Sequence, residues 1–446
     1  MARSLFGTDG VRGEANTYPM TAELALRLGA AAGVVLRRDA GTHRVVIGKD
    51  TRNSSYMFES ALTAGFASTG MDVLLLGPVP TPAVGMLTRS MRADAGVMIS
   101  ASHNAYKDNG IKFFGREGFK LRDQTESKIE EVLGQGSDLA PPEKIGKARR
   151  IDDGLGRYME FSKTTFRRKR QLDGLRIVID CANGAAYRAA PEVLWELGAD
   201  VIPIGVSPNG YNINDNCGST FPAAAAAAVN QRRADVAICL DGDADRVIMV
   251  DEKGQVIGGD QIMALIASTW LVEGKLSTNS IVASVMSNMG LERYLSGLGL
   301  SVIRCDVGDR YVVETMLREG CNLGGEQSGH IVMTDYMTTG DGLTAGLQVL
   351  SAIVESGCTA SELFSKFEPV PQLLQNVRCG RGQDPLEAES VKSAVRAGRE
   401  ALGSSGRLVI RKSGTEALVR VMAECENPDL LKSVVSDVAA AVTRAA

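Results

Sequence analysis

The sequence predicts an α/β protein: three related sheet-and-helix domains followed by a smaller C-terminal α+β domain. Three observations carry this expectation. An apolar strand, a helix, a glycine and a second strand follow one another three times, about every 110–130 residues, too widely spaced for a solenoid. The 446 residues, 44% of them hydrophobic, exceed what one core serves and set a length prior of about three domains. Beyond Glu368-Pro369-Val370-Pro371 the pattern changes to strand, helix, two strands and a last helix.

The first copy runs from the strand Val45-Val46-Ile47-Gly48 through a helix with Met57, Ala61, Leu62 and Phe66 on one face, past Gly70, to a strand over Val73 to Leu76. The second opens on Leu175 to Ile179, reaches Asp180, and returns after Gly198 as Val201 to Ile204. The third opens on Ser280 to Ala283 and returns after Gly299 with Val302-Ile303. The stretch from Gly134 to Asp153, with two adjacent prolines and many charges, reads as a linker. A turn at Asp251-Glu252-Lys253-Gly254 marks a second break and Glu368 to Pro371 a third. The expected domains are therefore 1–150, 151–254, 255–368 and 369–446. The last holds a strand over Gln375 to Cys379, a helix over Pro385 to Leu402, two strands around a Ser-Gly-Thr turn, and a helix from Pro428.

Charge and cysteine usage narrow the function classes. With 49 basic and 53 acidic residues the net charge is −4, which offers no global basic field for nucleic acid. Eight cysteines are scattered without a Cys-x-x-Cys pair, as expected of reduced thiols in a cytoplasm. No apolar run precedes Asp9 and none reaches the ~20 residues that span a bilayer. A cytoplasmic protein with no membrane partner is expected.

Five stretches carry chemistry. Val97 to Ser100 reads as a buried strand entering the turn Ala101-Ser102-His103-Asn104, and Lys107 to Phe114 as a turn and a second strand. A serine on such a bend is held in one direction, but it needs activation to act as a nucleophile, and no Gly-x-Ser-x-Gly elbow surrounds it. Near the N-terminus, Gly7, Gly10 and Gly13 bracket Arg12; tight turns there let a guanidinium clamp a phosphate. Asp241-Gly242-Asp243-Ala244-Asp245-Arg246 places three carboxylates in five residues after the strand Ala237 to Leu240. They repel unless a cation sits among them, and an all-oxygen set suits Mg²⁺. Glu252 stands twelfth from Asp241, but Arg246 at the sixth position and flanking strands rule out an EF-hand. In Gly324-Gly325-Glu326-Gln327-Ser328-Gly329-His330 a carboxylate and a hydroxyl project two residues apart, suited to sugar hydroxyls. Arg411-Lys412-Ser413-Gly414-Thr415-Glu416, with Arg420 on the next strand, offers hydroxyls, a loose backbone and cations as a nest for a dianion.

Ser-Ala-Ser-His-Asn resembles the phosphoserine loop of the α-D-phosphohexomutases. Phe-Gly-Thr-Asp-Gly-x-Arg-Gly, Asp-Gly-Asp-x-Asp-Arg, Gly-Glu-x-Ser-Gly-His and Arg-x-Ser-Gly-Thr-Glu match the family's other motifs in order. The resemblance implies three mixed-sheet α/β domains and the smaller one around a central cleft. Ser102 is then the phosphoryl carrier, with Arg12 and His103 beside it in the catalytic loops. Asp241, Asp243 and Asp245 are the ligands of one Mg²⁺, joined by the phosphate on Ser102. Lys112 is the candidate for assisting proton transfer, or for electrostatic support. Asp309 and Arg310, in the polar turn Asp306 to Tyr311, fall on the sugar-phosphate side. Glu326 and Ser328 bind sugar hydroxyls, while Arg411, Ser413, Gly414, Thr415 and Arg420 hold phosphate. Gln327, where sister mutases typically carry methionine, is expected to answer the C2 substituent. Two family prolines are replaced, by Ala105 and Ala417, which leaves the rigidity of those loops open.

The implied reaction interconverts glucosamine 6-phosphate and glucosamine 1-phosphate through a sugar bisphosphate, supplying amino-sugar nucleotide precursors of the bacterial cell wall. A kinase or a sugar bisphosphate would prime Ser102, and room is left for a homo-dimer. A sister mutase of glucose or mannose phosphates shares all these loops. A non-catalytic sugar-phosphate sensor is the alternative of another class, disfavoured because binding alone needs neither Ser102 nor three aspartates.

Overall fold

The computed structural model describes residues 5–7, 9–37, 41–166, 170–380, 385–412 and 418–446. In each of the first three units the middle strands run parallel and are buried on both faces, as Val- and Ile-rich stretches between crossover helices must be. The first sheet orders Val11–Glu14, Asp108–Gly115, Ala95–Ile99, His43–Lys49, Met71–Pro78 and Ala148–Arg150 side by side. Its inner pairs are parallel, while Asp108–Gly115 runs antiparallel to both its neighbours, which makes the sheet mixed. The second sheet orders Val256–Ile257, Val247–Asp251, Val236–Leu240, Arg176–Asp180 and Asp200–Ile204. Val256–Ile257 pairs back onto Val247–Asp251, so this sheet continues past the turn at Gly254. The third orders Ser301–Cys305, Ser280–Ser284, Leu323–Gly325 and Ile331–Met333. The fold is thus the expected series of three α/β units and one α+β unit.

The last unit is a three-stranded antiparallel sheet, Gln372–Arg378, Leu418–Cys425 and Gly406–Lys412, with the helices Glu389–Leu402 and Pro428–Ala445 packed on it. Val391, Val419, Val421, Val435 and Val438 form a core of its own. One contiguous core, by contrast, runs through the first three units, from Val46 and Leu87 past Ile177 and Leu240 to Ile281 and Leu350. Polar contacts join the third and fourth units: Glu424, fully buried, accepts the Met289 N–H at 3.3 Å, and Arg407 Nη2 donates to the Ser287 carbonyl at 2.8 Å. All eight cysteines are free thiols, most of them buried. Among the described residues no helix is long and apolar enough to cross a membrane.

Candidate active site

In open α/β sheets ligands collect beyond the carboxyl ends of the strands, where crossovers leave backbone groups unused. Ser102 follows Ala95–Ile99, the three aspartates follow Val236–Leu240, and Glu326 follows Leu323–Gly325, so three sheets aim their carboxyl ends at one place. Ser102 is 1% exposed, and its Oγ donates to Asp241 Oδ2 at 2.5 Å. His103 Nδ1 lies 3.3 Å from the same Oγ.

Asp241, Asp243 and Asp245 are buried, with a carboxylate oxygen from each within 4.8 Å of the others. Their charges are not balanced alike. Lys112, itself 1% exposed, reaches Asp243 at 2.8 Å, Asp9 at 3.2 Å and Asp245 at 3.3 Å. Burial works against an ionised Asp245, but Lys112 and His330 outweigh it and hold its pKa well below the usual carboxylate range. Among the described residues no lysine pairs with Asp241; burial and then Asp245 and Asp243 push its pKa up to about 8. Asp243 Oδ1 and Asp245 Oδ1 are buried without a hydrogen-bond partner, a costly state for a carboxylate oxygen. An oxygen-only set with orphaned lone pairs and one carboxylate forced toward neutrality fits a hard divalent cation.

Around this acidic centre stand cations from two units. Arg12 is carried on Val11–Glu14, whose pairing with Asp108–Gly115 sets it opposite Gly110. It pairs with Asp9 and lies 3.4 Å from the Ala101 carbonyl. Its strand approaches so closely that a β-carbon at Gly10, where φ is +75°, would stand 2.3 Å from the Ile111 carbonyl oxygen. Arg246 gives its backbone N–H to Asp241 at 3.2 Å. Burial first, and then Arg246 and Arg12, push the His103 pKa down to about 4. That imidazole is neutral near pH 7, in a positive field suited to an anion on Ser102. Burial disfavours charge on Lys112, but Asp243, Asp245 and Asp9 prevail and raise its pKa well above the ordinary value.

Family models described as phosphoglucomutase/phosphomannomutase match the chain in four pieces: domain I over residues 3–139, domain II over 156–254, domain III over 258–370 and the C-terminal domain over 374–441. The chain belongs to this family. It is 67% identical over 447 aligned residues to a phosphoglucosamine mutase of Cereibacter sphaeroides, and 65% to one of Paracoccus denitrificans, each alignment covering 100% of both chains. A phosphoglucomutase/phosphomannomutase family protein of Burkholderia thailandensis has the same fold, with a TM-score of 0.84 at 22% identity over 99% of this chain and 97% of that one. The N-acetylphosphoglucosamine mutase of Aspergillus fumigatus, solved with GlcNAc-6P and magnesium, follows at 0.68 and 17% identity, covering 99% and 96%.

The remaining residues expected from the phosphohexomutase motifs are distributed as follows. Asp309 pairs with Lys120 and lies 3.4 Å from His330 Nε2, while His330 Nδ1 is 3.7 Å from Asp245. Arg310 turns the other way, onto Asp123 and onto Glu126 at 2.5 Å, and so ties the third unit to the helix Asp123–Gln135 of the first. Glu326 Oε1 accepts the Gly308 N–H at 3.0 Å, and Ser328 is exposed. Gln327 Nε2 donates to Gln372 of the fourth unit at 3.3 Å. Arg411 and Arg420 face each other across paired strands. Ser413, Gly414, Thr415 and Ala417 lie outside the described residues.

Several residues brought into the site were not singled out from sequence. Asp9 and Arg246 sit inside motifs that were quoted, so their signal was present, but neither was given a role in the site. Lys120, which joins Asp9 to Asp309, is one lysine in a charged stretch with no local mark. Thr81, at the start of the helix Thr81–Ser90, donates through Oγ1 to Asp243 at 2.6 Å, a contact across 162 residues of sequence that no local pattern announces.

Proposed function

We propose that this chain interconverts glucosamine 6-phosphate and glucosamine 1-phosphate, with Ser102 as phosphoryl carrier. The observation that carries the reading is the placement of Ser102 Oγ 2.5 Å from Asp241 within a buried aspartate triad; full-length identity to phosphoglucosamine mutases supports the substrate. Mg²⁺, held by Asp241, Asp243 and Asp245, would neutralise charge on the transferring phosphoryl group.

In the forward direction the bond between the Ser102 oxygen and phosphorus breaks as the sugar O1 bonds to phosphorus, giving a 1,6-bisphosphate. The O1 proton passes, net, to Ser102 Oγ, which is left as the free serine hydroxyl. After the bisphosphate turns over in the cleft, Ser102 Oγ takes the phosphoryl group from O6, and the serine proton passes, net, to O6. Arg12, Arg246 and Lys112 supply positive charge that needs no reorganisation during transfer. With its charge fixed by three carboxylates, Lys112 serves as electrostatic support. Glu326 and Ser328 would bind hydroxyls, and Arg411 with Arg420 would hold the phosphate not being transferred. A sugar bisphosphate or a kinase would prime Ser102.

Intact mass before and after exposure to glucose 1,6-bisphosphate tests the carrier: one phosphoryl group, mapping to Ser102, is expected. A panel of glucosamine, glucose and mannose 6-phosphates tests the substrate. Glucosamine 6-phosphate should lead by at least ~10-fold in kcat/KM, the low end of what one recognised group supplies. Preference for glucose or mannose phosphate would reassign the activity to a sister mutase.

A further inference from the structure

Ser102 adopts φ +52°, a left-handed conformation that a residue with a β-carbon rarely holds. Its carbonyl is gripped from two sides. Arg52 Nη2 donates to Ser102 O at 3.2 Å and to Asn104 O at 2.5 Å. Asn214 Nδ2 donates to the same two oxygens, each at 2.9 Å. Only the NH₂ end of an amide can face two carbonyls, so the orientation of Asn214 is fixed by chemistry.

The two donors come from different units. Arg52, fully buried, is anchored by Asp50 and lies 3.4 Å from Ser100 Oγ, both in the first unit. Asn214 belongs to the loop that leaves Asp200–Ile204 in the second. Between the metal-loop aspartates, Gly242 completes the junction. A β-carbon there would stand 2.6 Å from Ser102 O and 2.8 Å from Asn214 Nδ2, so the second unit closes on this carbonyl only because residue 242 has no side chain.

We propose that Arg52 and Asn214 form a clasp on the Ser102 and Asn104 carbonyls, and that Asn214 is a positioning residue for the phosphoryl carrier. The aim of Ser102 Oγ then depends on the second unit being docked, which couples the carrier to the aspartates that meet it. The clasp also supplies by hydrogen bonds the rigidity that Ala105 does not. This inference rests on Ser102 being the carrier.

Asn214 is itself left-handed, at φ +58°, which gives a clean test. Asn214→Gly keeps that turn, since glycine adopts it freely, and deletes only the amide. In-line transfer is sensitive to misplacement of about 1 Å, worth on the order of 100-fold. The expected result is a kcat lower by ~10–100-fold, a KM for glucosamine 6-phosphate within ~3-fold, and Ser102 still phosphorylated by glucose 1,6-bisphosphate. Asn216→Gly is the control. Asn216 is exposed, has φ +53°, and its side chain donates to Asp215; this variant should turn over like the native chain. Should Asn214→Gly not fold, Asn214→Asp keeps the size but lacks the donors and should show the same loss. Native kcat in whichever Asn214 variant folds overturns the clasp. A native protein that takes no phosphoryl group on Ser102 overturns the carrier instead, so the two failures are distinguishable.

Discussion

Replacing Arg411 with alanine should separate binding from chemistry and give opposite signs for affinity and stability. Arg411 and Arg420 stand directly opposite on the antiparallel strands Gly406–Lys412 and Leu418–Cys425. Burial and then Arg420 push the Arg411 pKa down, and its Nε is buried without a hydrogen-bond partner. Like charges placed opposite across a sheet destabilise it by ~0.2–1 kcal/mol. Removing one relieves that repulsion, so the melting temperature in phosphate-free buffer should stay level or rise slightly. A charge-assisted hydrogen bond to phosphate contributes ~1.5–3 kcal/mol, so KM for glucosamine 6-phosphate should rise by about 10- to 150-fold. kcat should fall by less than ~5-fold, because the lost contact serves ground and transition states alike. Inorganic phosphate should raise the melting temperature of the native chain and leave the variant's unchanged. Steady-state kinetics and calorimetry read all of this. A variant that melted several degrees lower with an unchanged KM would show the arginine pair to be structural and refute the reasoning.

Three further outcomes follow from the acidic centre. Ser102→Ala should fold normally yet retain less than about one part in ten of native mutase turnover, since no other group carries the phosphoryl between transfers; mass spectrometry should find it unphosphorylated by bisphosphate. Excess chelator should arrest the native enzyme and Mg²⁺ restore it, and Asp243→Asn should weaken Mg²⁺ binding in a calorimetric titration; full activity in chelator would return the aspartates to a purely structural role. Lys112→Met leaves the buried Asp243 and Asp245 and the partly buried Asp9 without their shared counter-charge, a loss of ~3–5 kcal/mol of stability in chelator, part of which Mg²⁺ should recover; an unchanged unfolding transition would contradict the ion-pair geometry.

The fold was legible in sequence because its signals are local. Val45 to Gly48, Ser280 to Ala283 and the helix from Pro428 each declare themselves by periodicity and flanking turn residues. The site was legible where chemistry crowds into one loop, as in Asp241 to Asp245. What escaped is what the crossovers bring together. Arg52 ends one strand–loop and Asn214 lies in another, and no sequence pattern says that both reach the Ser102 carbonyl. Arg310 shows the converse: its motif pointed to the sugar phosphate, whereas its guanidinium pairs with Asp123 and Glu126 of the first unit. A guanidinium suits phosphate and carboxylate equally, so residue type alone could not choose between them.

The charges of the candidate site are shared among the first three units. Lys112 and Lys120 come from the first, Asp243 and Asp245 from the second, Asp309 and His330 from the third, and each has a partner in another unit, while Asp9 joins the two lysines within the first. Buried ion pairs of this kind barely repay their desolvation as stability; what they provide is a fixed field at the carrier. The fourth unit stands apart from that network, with its own core and hydrogen bonds to the third. A reaction that must hold a bisphosphate while exchanging its two ends needs both arrangements. On the proposed reading, the field at Ser102 would have to be rigid through each transfer, and the grip of Arg411 and Arg420 on the distal phosphate would have to release between them. A shared core for the first three units and a separate one for the fourth divide those tasks along the chain.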